Sequence, residues 1–149
     1  MILENQKNRM INGQLIPNLI TNDKILVAFN SLNREDFLTP DTKSIAYIDD
    51  HIFIKKRFLL KPYYLAKILT FMQIDKKKEI LDVGCGSGYS SIIFGKFFKF
   101  IVSVEEDITL VKIFHEYLKT NKITNCQVLN IKFNEIKLEK KFDHIFING

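Results

Sequence analysis

Between Glu79 and Tyr89 the chain reads E-I-L-D-V-G-C-G-S-G-Y, and no other stretch limits the possible folds so tightly. Ile80, Leu81 and Val83 form a short apolar run of buried-strand type, which breaks into Gly84, Gly86 and Gly88 and is followed by a helical apolar pattern. The order strand, glycine turn, helix predicts a crossover unit whose helix, opening near Ser87, aims free N–H groups at whatever lies over the turn. Glycine serves such a turn because positive φ is needed and because a ligand can approach backbone that carries no Cβ. Asp82 precedes the first glycine, and Glu105 closes the next apolar run, Phe100 to Val104. When two parallel strands lie side by side, a carboxylate at that second strand end can take both hydroxyls of a ribose.

The rest of the chain alternates in the same way. Met10, Ile11, Leu15 and Ile16 recur at near-helical spacing between about Asn5 and Asn18, with Pro17 ending the pattern. A second helix is expected from about Asp23, capped by Asn22 or Asp23, with Ile25, Leu26, Ala28 and Phe29 inside. Ile52, Phe53 and Ile54 read as extended. Pro62 suits the first turn of a helix facing inward through Leu65, Ile68, Leu69 and Met72. Ser90 to Phe98 should be a helix, and another should begin near Asp107 with Leu110, Val111, Phe114, Tyr117 and Leu118. Third and fourth strands are expected at Gln127 to Leu129 and Asp143 to Ile147. This alternation predicts an α/β fold with a parallel sheet, and a ligand crevice over the carboxyl ends of its first strands.

Composition narrows the function classes. At 149 residues, with 46% apolar and 26% charged residues, the chain fits one globular domain. The formal charge of +5 comes from 19 lysines and only 3 arginines, without the arginine and aromatic clusters of a nucleic-acid surface, so no nucleic-acid partner is expected. No membrane partner is expected either, since no segment reaches the roughly 18 apolar residues of a span. Cys85 and Cys126 have neither metal spacing nor a framework of pairs. Reduced thiols and no ordered signal sequence at the N-terminus lead to an expected cytoplasmic location, with no metal.

The segment D82-V-G-C-G-S-G-Y89 resembles the first motif of class I S-adenosylmethionine-dependent methyltransferases. R9-M-I-N-G-Q-L15, D23-K-I-L-V-A28, N33-R-E-D-F37, A46-Y-I-D49 and K61-P-Y-Y-L-A66 are similar, in the same order, to the lead-in of protein-L-isoaspartate O-methyltransferases. The likeness runs roughly from Arg9 to Gly149. It implies a Rossmann-like class I methyltransferase fold with an incomplete parallel sheet of about four strands. Residues 1–149 would form a single methyltransferase-like domain, with a helical cap and substrate loop over 1–61 and the first half of the cofactor-binding sheet over 62–149. S-adenosyl-L-methionine is the implied cofactor. Asp82, Gly84, Cys85, Gly86, Ser87, Gly88 and Tyr89 would line it, with Glu105 on the ribose.

The resemblance also implies a protein or peptide substrate bearing isoaspartyl residues, whose stray carboxylate receives the methyl group. Here the chain departs from its relatives. Where they carry T-I-S-x-P, with hydroxyls facing the substrate carboxylate, this chain has Phe58, Leu59, Leu60 and Lys61 before Pro62, and their preceding G-x-G is Ile54-Lys55-Lys56. Weakened or altered activity is therefore expected, the alternative being a catalytically silent cofactor-binding remnant or partner subunit. Lys56, Arg57, Leu60 and Lys61 are the nearest substrate-orienting candidates, cations being good donors to carboxylates. The acidic residue expected near the adenine is Lys132, with Asn130 as a substitute polar contact. The histidines, His51, His115 and His144, are expected in loop, packing or surface roles rather than as proton carriers. Finally, the fourth strand, F142-D-H-I-F-I-N-G149, would be an open apolar edge, expected to be covered either by a second subunit in a homodimer or by a rearranged N-terminal segment.

Overall fold

Apolar runs bounded by glycine, lysine or asparagine build the larger of two sheets. A computed structural model describes residues 2–137 and 139–148, so Gly149, the last residue of the resemblance, lies outside the described residues. The chain divides into two compact units, one up to Gln73 and one from Ile74 onward.

In the second unit, β3 (Glu79–Val83), β4 (Phe100–Glu105), β5 (Cys126–Asn130) and β6 (His144–Ile147) form a parallel sheet in the order β5-β4-β3-β6. The two central strands are buried along nearly their whole length, as a parallel strand covered on both faces must be. The edge strands alternate instead: Ile145 and Ile147 are 62% and 64% exposed, while Cys126 and Val128 are buried. Asp82, Ser103 and Phe146 lie in register across three strands. Their face of the sheet carries α4 (Tyr89–Gly95), with Phe94 edge-on to Phe146 at 5.1 Å. Leu81, Val83, Val102 and Val104 form the core of the opposite face, with Phe100, Leu129, Ile131, Ile136 and Phe142 packed against them.

Helix α5 (Ile108–Thr120) starts where Asp107 caps it, Oδ1 accepting from the Thr109 and Leu110 N–H groups at 2.8 and 3.2 Å. Leu110, Val111, Phe114 and Leu118 are buried as expected, and Tyr117 is half-buried. Helix α4 is shorter than the sequence predicts. It stops at Gly95, and the buried Phe97 and Phe98 belong to the turn beyond it.

The first unit is mostly helical. Helix α1 (Ile2–Met10) does not run on to Asn18. Ile11–Leu15 forms a π turn in which the Ile16 N–H reaches back to the Ile11 carbonyl, and Ile16–Asn18 is a 3-10 turn. Pro17 has no N–H and its ring crowds the preceding turn, so it widens the helix ahead of it. The actual stop is Leu19, at φ +63°. Helix α2 (Asp23–Asn30) has the expected cap, Asn22 Oδ1 accepting from the Lys24 N–H at 3.0 Å. Strands β1 (Ile52–Ile54) and β2 (Arg57–Leu59) form an antiparallel hairpin, and α3 (Pro62–Phe71) follows with Pro62, Leu65, Ala66 and Leu69 buried. Ile68 is half-buried, and Met72 lies beyond the last turn as its cap.

Candidate functional site

The glycine turn is strapped to the strand beside it. The N–H groups of Gly84 and Cys85 both donate to the Val104 carbonyl, at 2.9 and 3.2 Å, and the Gly88 N–H donates to the Cys85 carbonyl at 3.0 Å. The Gly86 N–H donates to Glu105 Oε2 at 3.0 Å, while Glu105 Oε1 accepts from the Asp107 N–H at 2.9 Å. A turn that cradled phosphate would keep such N–H groups open for anionic oxygens. Here four of them are already spent, and the adjacent charge is a buried carboxylate. Gly86 and Gly88 adopt φ +57° and +93°, and a Cβ on Gly88 would lie 2.3 Å from the Phe114 ring. Ser87 and Tyr89 are buried beside them, so the sequence-predicted cofactor residues from Asp82 to Tyr89 come together with Glu105 in the second unit.

Asp82 lies beneath the turn, fully buried. Its Oδ2 accepts from the Ser90 and Ser91 hydroxyls at 2.7 and 2.6 Å, and Ser103 Oγ donates to Ser91 Oγ at 2.8 Å. Oδ1 has no hydrogen-bond partner. Burial pushes this carboxyl up to about 6; the two serine bonds act against the rise and the charge of Glu105 adds to it. Cys126, on β5, is likewise driven up to about 12 by burial and by Asp82, so its thiol is neutral.

Asn130 sits at the end of β5, where its amide nitrogen donates to the Glu105 and Glu106 carbonyls at 2.9 and 3.0 Å. Its NH₂ group thus holds the end of β4 in place, which fixes the backbone that carries the Glu105 carboxylate. Lys132 is exposed.

The substrate-orienting candidates belong to the first unit. Lys56 is exposed in the hairpin loop, and Arg57 and Leu60 are half-buried. Lys61 is already engaged: its ammonium pairs with Asp49 at 3.0 Å, which raises its pKa, and its N–H donates to His51 Nδ1 at 3.1 Å. His51 also meets the rings of Phe58 and Tyr64 at 4.9 and 5.7 Å. The imidazole therefore ties the hairpin to the start of α3, which is more than a solvated loop position. His144 packs on Phe98 at 5.5 Å, and His115 is exposed on α5.

Sequence reasoning missed Ser90, Ser91 and Ser103. The signal was present, since a lone serine in the apolar run of β4 and a serine pair opening α4 are all polar residues at buried spacing. It also missed Arg34, a fully buried guanidinium whose Nη2 donates to the Leu60 carbonyl at 2.8 Å. Beside it, the Tyr47 hydroxyl accepts from the Arg34 N–H at 3.3 Å and donates to Glu35 Oε2 at 2.5 Å. N33-R-E-D-F37 and A46-Y-I-D49 thus meet in one hydrogen-bonded cluster against the segment that joins the hairpin to α3. Among the described residues, no group of three or more His, Cys, Asp or Glu side chains could hold a metal ion, and no helix is long and apolar enough to cross a membrane.

A family model described as protein-L-isoaspartate(D-aspartate) O-methyltransferase matches residues 5–135. The chain belongs to this family. Among its relatives, the protein-L-isoaspartate O-methyltransferase of Helicobacter pylori strain P12 is 27% identical over 123 residues, covering 82% of this chain and 59% of the relative. That of Herpetosiphon aurantiacus is 24% identical over 129 residues, covering 86% and 58%. The chain therefore spans under two thirds of the length of these curated relatives. Among solved structures, a Plasmodium falciparum protein described as a protein-L-isoaspartate O-methyltransferase, in complex with S-adenosyl-L-homocysteine, superposes with a TM-score of 0.78 at 20% identity. The match covers 95% of this chain and 72% of that one. A second protein-L-isoaspartate O-methyltransferase gives a TM-score of 0.77 at 21% identity, covering 95% and 47%. At these identities the likeness establishes the Rossmann-like methyltransferase fold, with its parallel four-stranded sheet.

Proposed function

We propose that this protein transfers a methyl group from S-adenosyl-L-methionine to a carboxylate of isoaspartyl residues in damaged protein, at a rate below that of its relatives. The observation that carries the cofactor half of this reading is the turn from Gly84 to Gly88, where the N–H groups of Gly84, Cys85 and Gly86 are spent on β4 and that of Gly88 on the Cys85 carbonyl, with two buried carboxylates beside it. Such a site suits a cationic ligand without phosphate. Asp82, Gly84, Cys85, Gly86, Ser87, Gly88 and Tyr89 would hold its amino-acid end, Glu105 its ribose, and Asn130 the strand end that carries Glu105. When bound, the cofactor supplies an electrophilic methyl carbon on a sulfonium. A carboxylate nucleophile already carries its charge at neutral pH, its pKa being about 4, so the chain needs no general base and acts by alignment.

The substrate half rests on family membership across both units, which also supports reading 1–149 as one functional domain. Lys56, Arg57, Leu60 and Lys61 would orient the acceptor. With Lys61 paired to Asp49 and both loop hydroxyls replaced by Phe58 and Leu60, the acceptor carboxylate has fewer donors than in the relatives. Incubation with labelled cofactor and an isoaspartyl peptide is expected to give weak turnover. Turnover at the level of the H. pylori relative would overturn the proposed impairment. The same two features favour the alternative of a silent cofactor-binding protein, which calorimetry with S-adenosylhomocysteine separates: binding without transfer supports it.

We also propose that the open edge of β6 pairs with a second copy, since Ile145 and Ile147 leave an apolar strand exposed beside unpaired backbone. Light scattering should show a dimer that Ile145→Lys disrupts; a monomer at high concentration would refute it. The two buried cysteine thiols agree with a reducing compartment such as the cytoplasm.

A further inference from the structure

Three hydroxyls converge on one side of a single buried carboxylate. Ser90 and Ser91 both donate to Asp82 Oδ2, Ser103 donates to Ser91, and the register places Ser103 directly beside Asp82 on β4. Asp82, Ser91 and Ser103 are wholly inaccessible and Ser90 nearly so. The other oxygen, Oδ1, is buried with no partner. A lone buried acceptor is unfavourable unless a donor arrives to fill it. The serines create the asymmetry: with Oδ2 taken by two short bonds the carboxylate cannot rotate without breaking both, so Oδ1 stays bare and fixed.

We propose that Ser91, supported by Ser90 and Ser103, is a positioning residue that locks the Asp82 carboxylate with Oδ1 unpartnered, as the acceptor for the ammonium group at the amino-acid end of the methyl donor. This rests on the cofactor reading above. The serine bonds also favour the charged carboxylate, which is the form that attracts an ammonium. The other titratable groups on the elements around Asp82 are Glu79 at the far end of β3, Glu105 on β4, whose charge opposes ionisation, the neutral Cys126 thiol on β5, Tyr89 and Lys96 at the two ends of α4 and His144 on β6.

The test is calorimetric titration of the full chain between pH 5 and 9 with two probes, S-adenosylhomocysteine and 5′-methylthioadenosine, the second lacking the amino-acid end. For the unaltered chain, S-adenosylhomocysteine binding should weaken as pH falls through about 6, and methylthioadenosine binding should not. Ser91→Ala should weaken S-adenosylhomocysteine about tenfold at pH 7 and move its midpoint up by about one pH unit, leaving methylthioadenosine within about twofold. Ser91→Thr, which keeps a hydroxyl, should restore both. Ser103→Ala, which leaves the bonds to Asp82 intact, should shift the midpoint the same way by less, and it serves if Ser91→Ala does not fold. An unmoved midpoint in the serine variants, or equal weakening of both probes, would overturn the positioning role while the cofactor reading stands. If the unaltered chain binds neither probe, the cofactor reading fails and takes this proposal with it.

Discussion

At Gly88 two constraints meet in one residue. Its φ of +93° is unfavourable for any residue with a Cβ, and the ring of Phe114 already occupies the space a Cβ would need. Gly88→Ala should therefore cost about 2–5 kcal/mol of stability, read from urea unfolding. In a Phe114→Ala background, which lacks the Cγ and Cδ atoms the new Cβ would meet, Gly88→Ala should lose only the steric part of its cost, because the backbone strain remains. Full recovery would mean that packing alone demands the glycine. The serines under Asp82 are the contrasting case: any small hydrogen-bonding residue is permitted by the backbone there, and the choice of serine makes sense only beside the carboxylate.

At the scale of elements, the end of α5 is closed by a paired set of turn bonds. The Ile123 N–H donates to the Leu118 carbonyl at 2.9 Å and the Lys122 N–H to the Lys119 carbonyl at 3.2 Å. This C-terminal motif normally places glycine where Lys122 stands, and Lys122 accordingly takes φ +51°. Lys122→Gly is expected to raise stability by about 0.5–1 kcal/mol, seen as a higher urea midpoint at unchanged slope. An unchanged or lower midpoint would show that the lysine side chain offsets its own strain. The same strain recurs in the hairpin, where Lys55 sits at φ +55°. The two strands pair Ile54 with Arg57 directly across this turn.

For the whole molecule, Asp82 links folding to pH. The unfolded carboxyl ionises near 3.8 and the folded one near 6, so between these values the native state holds a proton that the unfolded chain has lost. Stability contributed at this site must then fall as pH rises from about 4 to 6, by up to ~3 kcal/mol, and level off above. Asp82→Asn cannot ionise, and the difference in stability between it and the unaltered chain should trace that decline. Parallel pH curves for the two proteins would refute it. The group pushed the other way, Glu79, is held below the ordinary carboxylate range by hydrogen bonds to Lys140 and Lys99 at the start of β3, far along the strand from the turn.

The positions of the parallel strands, the glycine turn, the caps Asn22 and Asp107 and the buried faces of α2 and α5 were all decided by local patterning, and these the sequence by itself determined. Each depends on residues close together in the chain, where spacing and the chemistry of one side chain suffice. Tertiary structure alone decided the ends of α1 and α4, the engagement of Lys61 by Asp49, the brace that Asn130 places on Glu105, and the serine cluster around Asp82. These depend on partners brought together from separate elements, and whether a polar group is bare or satisfied is a property of that assembly, invisible in the order of residues.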